Sequence, residues 1–163
     1  MRARWQIGLG DDVAARHARA RLPPAHRRVR QQVDVDVDAA RVAQLKRGES
    51  YIEDVPSEVF GSLVESGQVG ATTDYDELRD ADAILIALPT PLSRQREPDL
   101  AILLAATEQI AGRVRPGQLI VLESTTYPGT TTEKLLPVLE KGSGLKAGKD
   151  FQLAFSPERV DPG

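Results

Sequence analysis

The sequence predicts an α/β protein built on a doubly wound parallel sheet. Three observations carry that prediction. Short apolar runs with β-branched members alternate along the chain with segments of helical periodicity, the order expected of parallel crossovers. Residues 83–88, Ala-Ile-Leu-Ile-Ala-Leu, are apolar throughout, as suits a central strand covered on both faces. Residues 118–122 form another such run, which breaks into Glu123-Ser124-Thr125-Thr126-Tyr127 before Pro128-Gly129 and a new helical pattern. In an open sheet of this kind, ligands sit where strands end and such loops begin.

Taken in order, residues 5–9 read as a first strand running into the turn Gly8-Leu9-Gly10. Residues 31–37 alternate Val33, Val35 and Val37 with acids, which predicts a second strand. Residues 39–47 carry Val42 and Leu45 at helical spacing, closed by Gly48. Residues 49–55 form a loop. Pro56-Ser57-Glu58 opens a helix with Val59, Leu63 and Val64 as its apolar face and Gly67 as its stop. A brief strand at 69–73 and a short helix or turn at 74–80 lead to the apolar strand, which Pro89-Thr90-Pro91 ends abruptly. After a charged loop at 93–98, residues 99–114 place Leu100, Leu103, Leu104, Ile110 and Val114 on one helical face. Pro116-Gly117 opens the strand at 118–122, and residues 130–132 offer N-cap side chains to the run Leu135, Leu136, Val138, Leu139. A Gly/Lys-rich loop at 141–149 and a last strand at 151–155 complete the pattern. No internal repeat interrupts it, and the expectation is one domain spanning 1–163.

Composition narrows the function. Hydrophobic content of 40% and charged content of 28% suit a soluble globular protein. There is no cysteine, so no disulfide framework, thiolate zinc site or cysteine nucleophile is available, and no metal site is expected. No apolar run approaches the roughly 18 residues of a membrane span. The N-terminus lacks a signal-peptide apolar core, so a cytoplasmic location with no membrane partner is expected. The net charge of −3 hides an asymmetry: residues 11–32 hold six arginines and both histidines against Asp11 and Asp12. A basic arm for nucleic acid would read this way. Without aromatics for stacking or a recognisable motif, no nucleic acid partner is expected.

Candidate chemistry gathers at predicted strand ends. Gly8-Leu9-Gly10 is half of a dinucleotide fingerprint: the first glycine allows the tight turn and the second lets backbone approach a pyrophosphate. The third glycine belongs at position 13, where the chain has Val13. Asp36, near the end of the second strand, is placed to hydrogen-bond a ribose hydroxyl. Each feature also has a plain structural reading, as a strand-end turn and as a solvated acid. Thr125 could bind an anion or position a water, or serve only as a cap. Glu158, after a strand and a proline, could be a general base or a surface ion-pair partner. Gly10, Asp36, Thr90, Thr125 and Glu158 all follow predicted strands, and that convergence outweighs any one of them.

Five motifs in order resemble the bacterial UDP-sugar 6-dehydrogenases. They are Arg-Gly-Glu-Ser-Tyr-Ile-Glu-Asp at 47–54, Pro-Thr-Pro-Leu at 89–92, Arg-Glu-Pro-Asp-Leu at 96–100, Glu-Ser-Thr-Thr-Tyr-Pro-Gly-Thr-Thr at 123–131 and Phe-Ser-Pro-Glu-Arg-Val-Asp-Pro-Gly at 155–163. The resemblance is greatest to the UDP-N-acetylglucosamine branch and is dense over residues 33–163. It implies a Rossmann-type NAD-binding domain, followed in the family by a central helical dimerising domain and a UDP-sugar domain. It implies oxidation of the sugar C6 hydroxyl to a carboxylate in two NAD-dependent steps, through a cysteine in the later part of the enzyme. By resemblance Gly8 and Gly10 would line the pyrophosphate, Asp36 would hold the adenosine ribose with Arg41 beside it, and Thr90 would line the cofactor cleft. Thr125 and Glu158 would help position water and manage protons, and residues 155–159 would begin the sugar-binding wall.

The chain departs from the family pattern twice. It ends at Gly163, before the cysteine, lysine and asparagine of the family's chemistry, so the expectation is a truncated cofactor domain inactive by itself. The alternatives are a stand-alone, non-catalytic nucleotide- or partner-binding module and a degenerate product without a unique fold. Residues 11–32 also replace the family's Gly-Tyr-Val-Gly-Leu-Pro loop and small apolar helix with an Arg/Ala/Pro/His mixture. That composition reads like GC-rich coding sequence out of frame, with the frame restored near Val33. Val13 puts a branched side chain where helix and strand must approach closely, and Asp11 and Asp12 put negative charge where the pyrophosphate belongs. Two like charges about 4 Å apart cost on the order of 4 kcal/mol at an effective dielectric near 20, about a thousandfold in affinity. Weak or absent NAD binding is the expectation.

Overall fold

The computed structural model describes residues 3–7, 29–51, 55–91 and 98–156. The chain divides into two compact units, Met1–Ala83 and Ile84–Gly163.

In the first unit, β1 (Ala3–Ile7) pairs parallel with β2 (Val29–Val35), and β2 pairs parallel with β3 (Val69–Thr72). Between β2 and β3 run helices α1 (Ala39–Lys46) and α2 (Ser57–Glu65). The second strand is longer at its start than its valine alternation predicts and stops at Val35, leaving Val37 80% exposed. The cause is local. The Asp36 carboxylate accepts the Asp38 N–H at 2.9 Å, which turns the chain out of the ladder. Asp38 then caps α1, accepting from the Ala40 N–H at 2.9 Å and the Arg41 N–H at 3.2 Å. Val42 and Leu45 are buried as the spacing predicts. Gly48 follows in the left-handed region, φ 77°, and a Cβ there would lie 2.8 Å from the Gly61 Cα. Around that backbone contact the half-buried residues of α2 are Phe60, Gly61, Leu63 and Val64. Val59, expected on the apolar face, is 51% exposed.

In the second unit, β4 (Ala83–Ile86) lies beside β5 (Leu119–Leu122), and β5 pairs parallel with β6 (Gln152–Phe155). All four β4 residues are buried, as its unbroken apolar sequence requires. Helix α3 (Ala101–Ala111) turns Leu103, Thr107, Ile110 and Ala111 inward. It packs on α4 (Leu136–Ser143) so closely that a Cβ on Gly142 would lie 2.5 Å from the Ala111 Cβ.

The start of this last helix corrects the sequence reading. Residues 130–132 do not cap it. Gly129 takes a left-handed φ of 91°, and the Thr130 hydroxyl donates back to the Tyr127 carbonyl at 2.8 Å. Thr130–Leu135 then winds as a wide turn in which the Leu136 N–H reaches the Thr131 carbonyl, five residues back. Pro137 explains the widening: its ring would clash with the carbonyl four residues earlier, and it has no N–H to give. The helix also runs further than predicted, to Ser143, and ends at Gly144 with φ 71°. Among the described residues no helix is long and apolar enough to cross a membrane.

Candidate functional site

The end of β2 builds an ionic cluster. Asp36 follows the last ladder residue, and its N–H still donates to the Thr72 carbonyl of β3 at 3.1 Å. One carboxylate oxygen is engaged by the Asp38 N–H and the other meets the Arg41 Nη1 at 3.3 Å. Arg41 stands in the first turn of α1, and its guanidinium lies 4.8 Å from the Tyr51 ring centroid. The segment that carries Tyr51 is held locally. Arg47 makes a two-pronged bond to Glu49, 2.8 Å on each arm, across Gly48. That bond keeps the Glu49 carboxyl below its ordinary pKa. The Ser50 N–H donates to the Ser57 hydroxyl at 3.0 Å, tying the segment to α2.

Sequence reasoning placed Asp36 and Arg41 together and missed the aromatic floor. Its signal was present in the 47–54 motif, where an arginine and a glutamate flank a glycine three residues before Tyr51. The cluster keeps acceptor capacity for a polar ligand. A carboxylate has about four acceptor positions, and the Asp36 side chain, 12% exposed, still has accepting capacity beside a fixed cation.

The ends of β4 and β5 build a neutral cluster. The Ser124 hydroxyl, buried at 6% exposure, accepts the Leu88 N–H at 2.8 Å and donates over 3.4 Å to the Ile86 carbonyl. The Glu123 N–H also reaches the Ile86 carbonyl, at 2.8 Å. One step further out, the Thr90 hydroxyl donates to the Thr125 carbonyl at 2.7 Å. Thr90 and Thr125, predicted to share a site, are therefore hydrogen-bonded across their two loops. Thr90 spends its proton on that bond and retains only acceptor capacity toward a ligand. Thr125 is exposed, and its hydroxyl makes no hydrogen bond among the described residues. Sequence reasoning singled out the threonines and treated Ser124 as one hydroxyl among three; its burial is what distinguishes it. Gly8, Gly10, Val13 and Glu158 lie outside the described residues, as do residues 11–28 and 157–159.

Comparison with known proteins identifies the fold and the family. Protein CapL of Staphylococcus aureus is 40% identical over 131 residues, 80% of this chain and 30% of that protein. The UDP-N-acetyl-D-glucosamine 6-dehydrogenase of Pseudomonas aeruginosa is 36% identical over 131 residues, again 30% of its length. The chain thus spans about a third of the length of the curated relatives it matches. Among solved structures, an NDP-N-acetyl-D-galactosaminuronic acid dehydrogenase from Methanosarcina mazei Go1 superposes with a TM-score of 0.84 at 31% identity, covering 99% of this chain and 35% of that one. A ternary complex of GDP-mannose dehydrogenase from Pseudomonas aeruginosa gives 0.85 at 26% identity, covering 99% and 37%. Residues 25–163 match the family described as the UDP-glucose/GDP-mannose dehydrogenase family, NAD binding domain. With its parallel strands joined through helices, the chain has the Rossmann-type α/β fold and belongs to the UDP-glucose/GDP-mannose dehydrogenase family, as its NAD-binding domain.

Proposed function

We propose that this chain is the cofactor domain of a cytoplasmic enzyme of polysaccharide precursor synthesis. That enzyme oxidises the C6 hydroxyl of a UDP-sugar to a carboxylate. UDP-N-acetylglucosamine is the substrate assigned, on the strength of the relative named for it. The observation that carries the reading is the strand-end acid, Asp36, with its Arg41–Tyr51 support, in a chain that matches an NAD-binding domain. NAD would supply the chemistry by accepting hydride, once from the C6 alcohol and once from the thiohemiacetal that the later cysteine forms with the aldehyde.

The chain's own residues hold and orient. Asp36 accepts hydroxyls of the adenosine ribose, and Arg41 fixes that carboxylate. Gly8 and Gly10 let the backbone approach the pyrophosphate. Thr90 offers an acceptor, Thr125 presents a hydroxyl to position water, and Glu158 takes a proton. With no cysteine there is no thiol to trap the aldehyde, so the 163-residue chain by itself binds cofactor without completing the oxidation. Dimerisation is assigned to a part of the enzyme other than this domain.

Residues 11–32 are assigned to a compensated frameshift, a reading supported by their composition. The gene sequence tests it: shifting the frame across these codons restores a glycine-rich loop and an apolar helix, or the idea is wrong. The same segment makes a binding prediction. Replacing Asp11 and Asp12 together by Asn tightens NAD binding, by up to about a thousandfold; unchanged affinity removes the charge argument. For the function itself, NAD is expected to raise the melting temperature through preferential binding to the native state, while a UDP-sugar alone leaves it unmoved. A shift with the sugar and none with NAD overturns the reading.

A further inference from the structure

We propose that Ser124 is a positioning residue: its buried hydroxyl sets the spacing of the β4-end and β5-end loops, and so fixes where the exposed Thr125 hydroxyl stands. The proposal deepens the reading of Thr125 given above and rests on it for its link to the cofactor.

The argument is geometric. After Ile86 the β4 chain leaves the sheet toward Pro89-Thr90-Pro91, and after Leu122 the β5 chain leaves toward Ser124-Thr125-Thr126. Just past those points the Glu123 and Ser124 N–H groups both turn to the Ile86 carbonyl, at 2.8 Å and 3.3 Å, and the Leu88 N–H is left to the Ser124 side chain. Its hydroxyl accepts the Leu88 N–H at 2.8 Å and faces the Ile86 carbonyl at 3.4 Å, so one side chain spans both polar groups of the departing β4 backbone. At 6% exposure these groups have little recourse to water. Only with the loops at this spacing does the Thr90 hydroxyl reach the Thr125 carbonyl at 2.7 Å. The order is therefore hierarchical: Ser124 holds the buried base, and Thr90 holds the exposed tip. A hydroxyl is required because a single atom must accept and donate at once, which alanine cannot do and cysteine does poorly.

The test uses the full 163-residue chain, with amide hydrogen exchange, threonine methyl NMR and NAD calorimetry. Ser124→Ala is compared with Thr107→Val, which removes a buried hydroxyl bonded at 2.7 Å to the Leu103 carbonyl within α3. Ser124→Ala is expected to speed Leu88 amide exchange about tenfold, to move the Thr90 and Thr125 methyl signals and to weaken NAD about fivefold. Thr107→Val is expected to lower the melting temperature and leave all three readings unchanged. Leu88 and Thr125 signals that respond no more to Ser124→Ala than to Thr107→Val overturn the proposal. A displaced Thr125 with unchanged NAD affinity overturns its link to the cofactor. If the wild-type chain binds no NAD while the Thr125 signals still respond, the link to the cofactor falls and the clasp stands. Should Ser124→Ala not fold, Thr90→Val serves: it is expected to move the Thr125 methyl signal and leave Leu88 protected, and loss of Leu88 protection would overturn the hierarchy.

Discussion

The two strand-end clusters are built from opposite materials. At the end of β2 the parts are charged and partly open: Asp36 meets Arg41, whose side chain is 36% exposed, over the face of Tyr51. At the ends of β4 and β5 the parts are neutral hydroxyls and backbone groups, with Ser124 buried beneath Thr90 and Thr125. An ion pair near water is weakened by salt and costs little to open. A buried hydroxyl–backbone bond ignores salt and costs more to break, because it strands a polar group. The first cluster suits recognition of a polar ligand, and the second suits holding two loops at a fixed spacing.

Mutations sharpen that contrast. The largest expected effect on stability falls on the frame of the charged cluster. Gly48→Ala adds a Cβ 2.8 Å from the Gly61 Cα at a φ that disfavours side chains. It should destabilise by about 3 kcal/mol, or roughly 6–12 °C in melting temperature. A melt within a degree of wild type would mean that the α1–α2 contact gives way freely.

Smaller effects separate the clusters by their response to salt. Thr90→Val should cost about 1 kcal/mol of NAD affinity at any ionic strength. Arg41→Leu should cost a similar amount in dilute buffer and much less at high salt. Equal salt dependence for the two variants would erase the distinction between the clusters.

The smallest effect belongs to Glu140. Its carboxylate accepts the Lys146 ammonium at 2.7 Å and the Ala147 N–H at 3.2 Å, bonds that hold its pKa below the ordinary value. A depressed folded pKa contributes stability above the unfolded pKa, and that stability is lost as pH falls through the folded value. Glu140→Gln should therefore lower the melting temperature slightly at neutral pH and not at all in strong acid. A larger deficit in acid would reverse the assigned sign.

The strands were largely legible because parallel strands buried on both faces announce themselves as apolar runs, as at residues 83–86. What escaped the sequence depended on partners distant in the chain. Val59 has helical spacing with Leu63, yet α2 meets Gly48 through Gly61 and leaves Val59 exposed. The threonines at 130–132 have the chemistry of caps, yet Pro137 further along forces a wide turn that spends the Thr130 hydroxyl on the Tyr127 carbonyl. At the site, the position of Asp36 was readable because the valine alternation before it marks a strand end. Ser124 was not, because among neighbouring hydroxyls only burial tells which one holds the backbone.

The most direct test is calorimetric titration of NAD into the 163-residue chain and its Asp36→Ala variant at moderate salt. The account predicts saturable but weak binding to the wild type, held down by Asp11 and Asp12. Removal of Asp36 should weaken it by a further tenfold or more, the worth of a hydrogen bond to a charged group. Equal, measurable affinity in the two proteins would contradict the assignment of the β2 end as the ribose site.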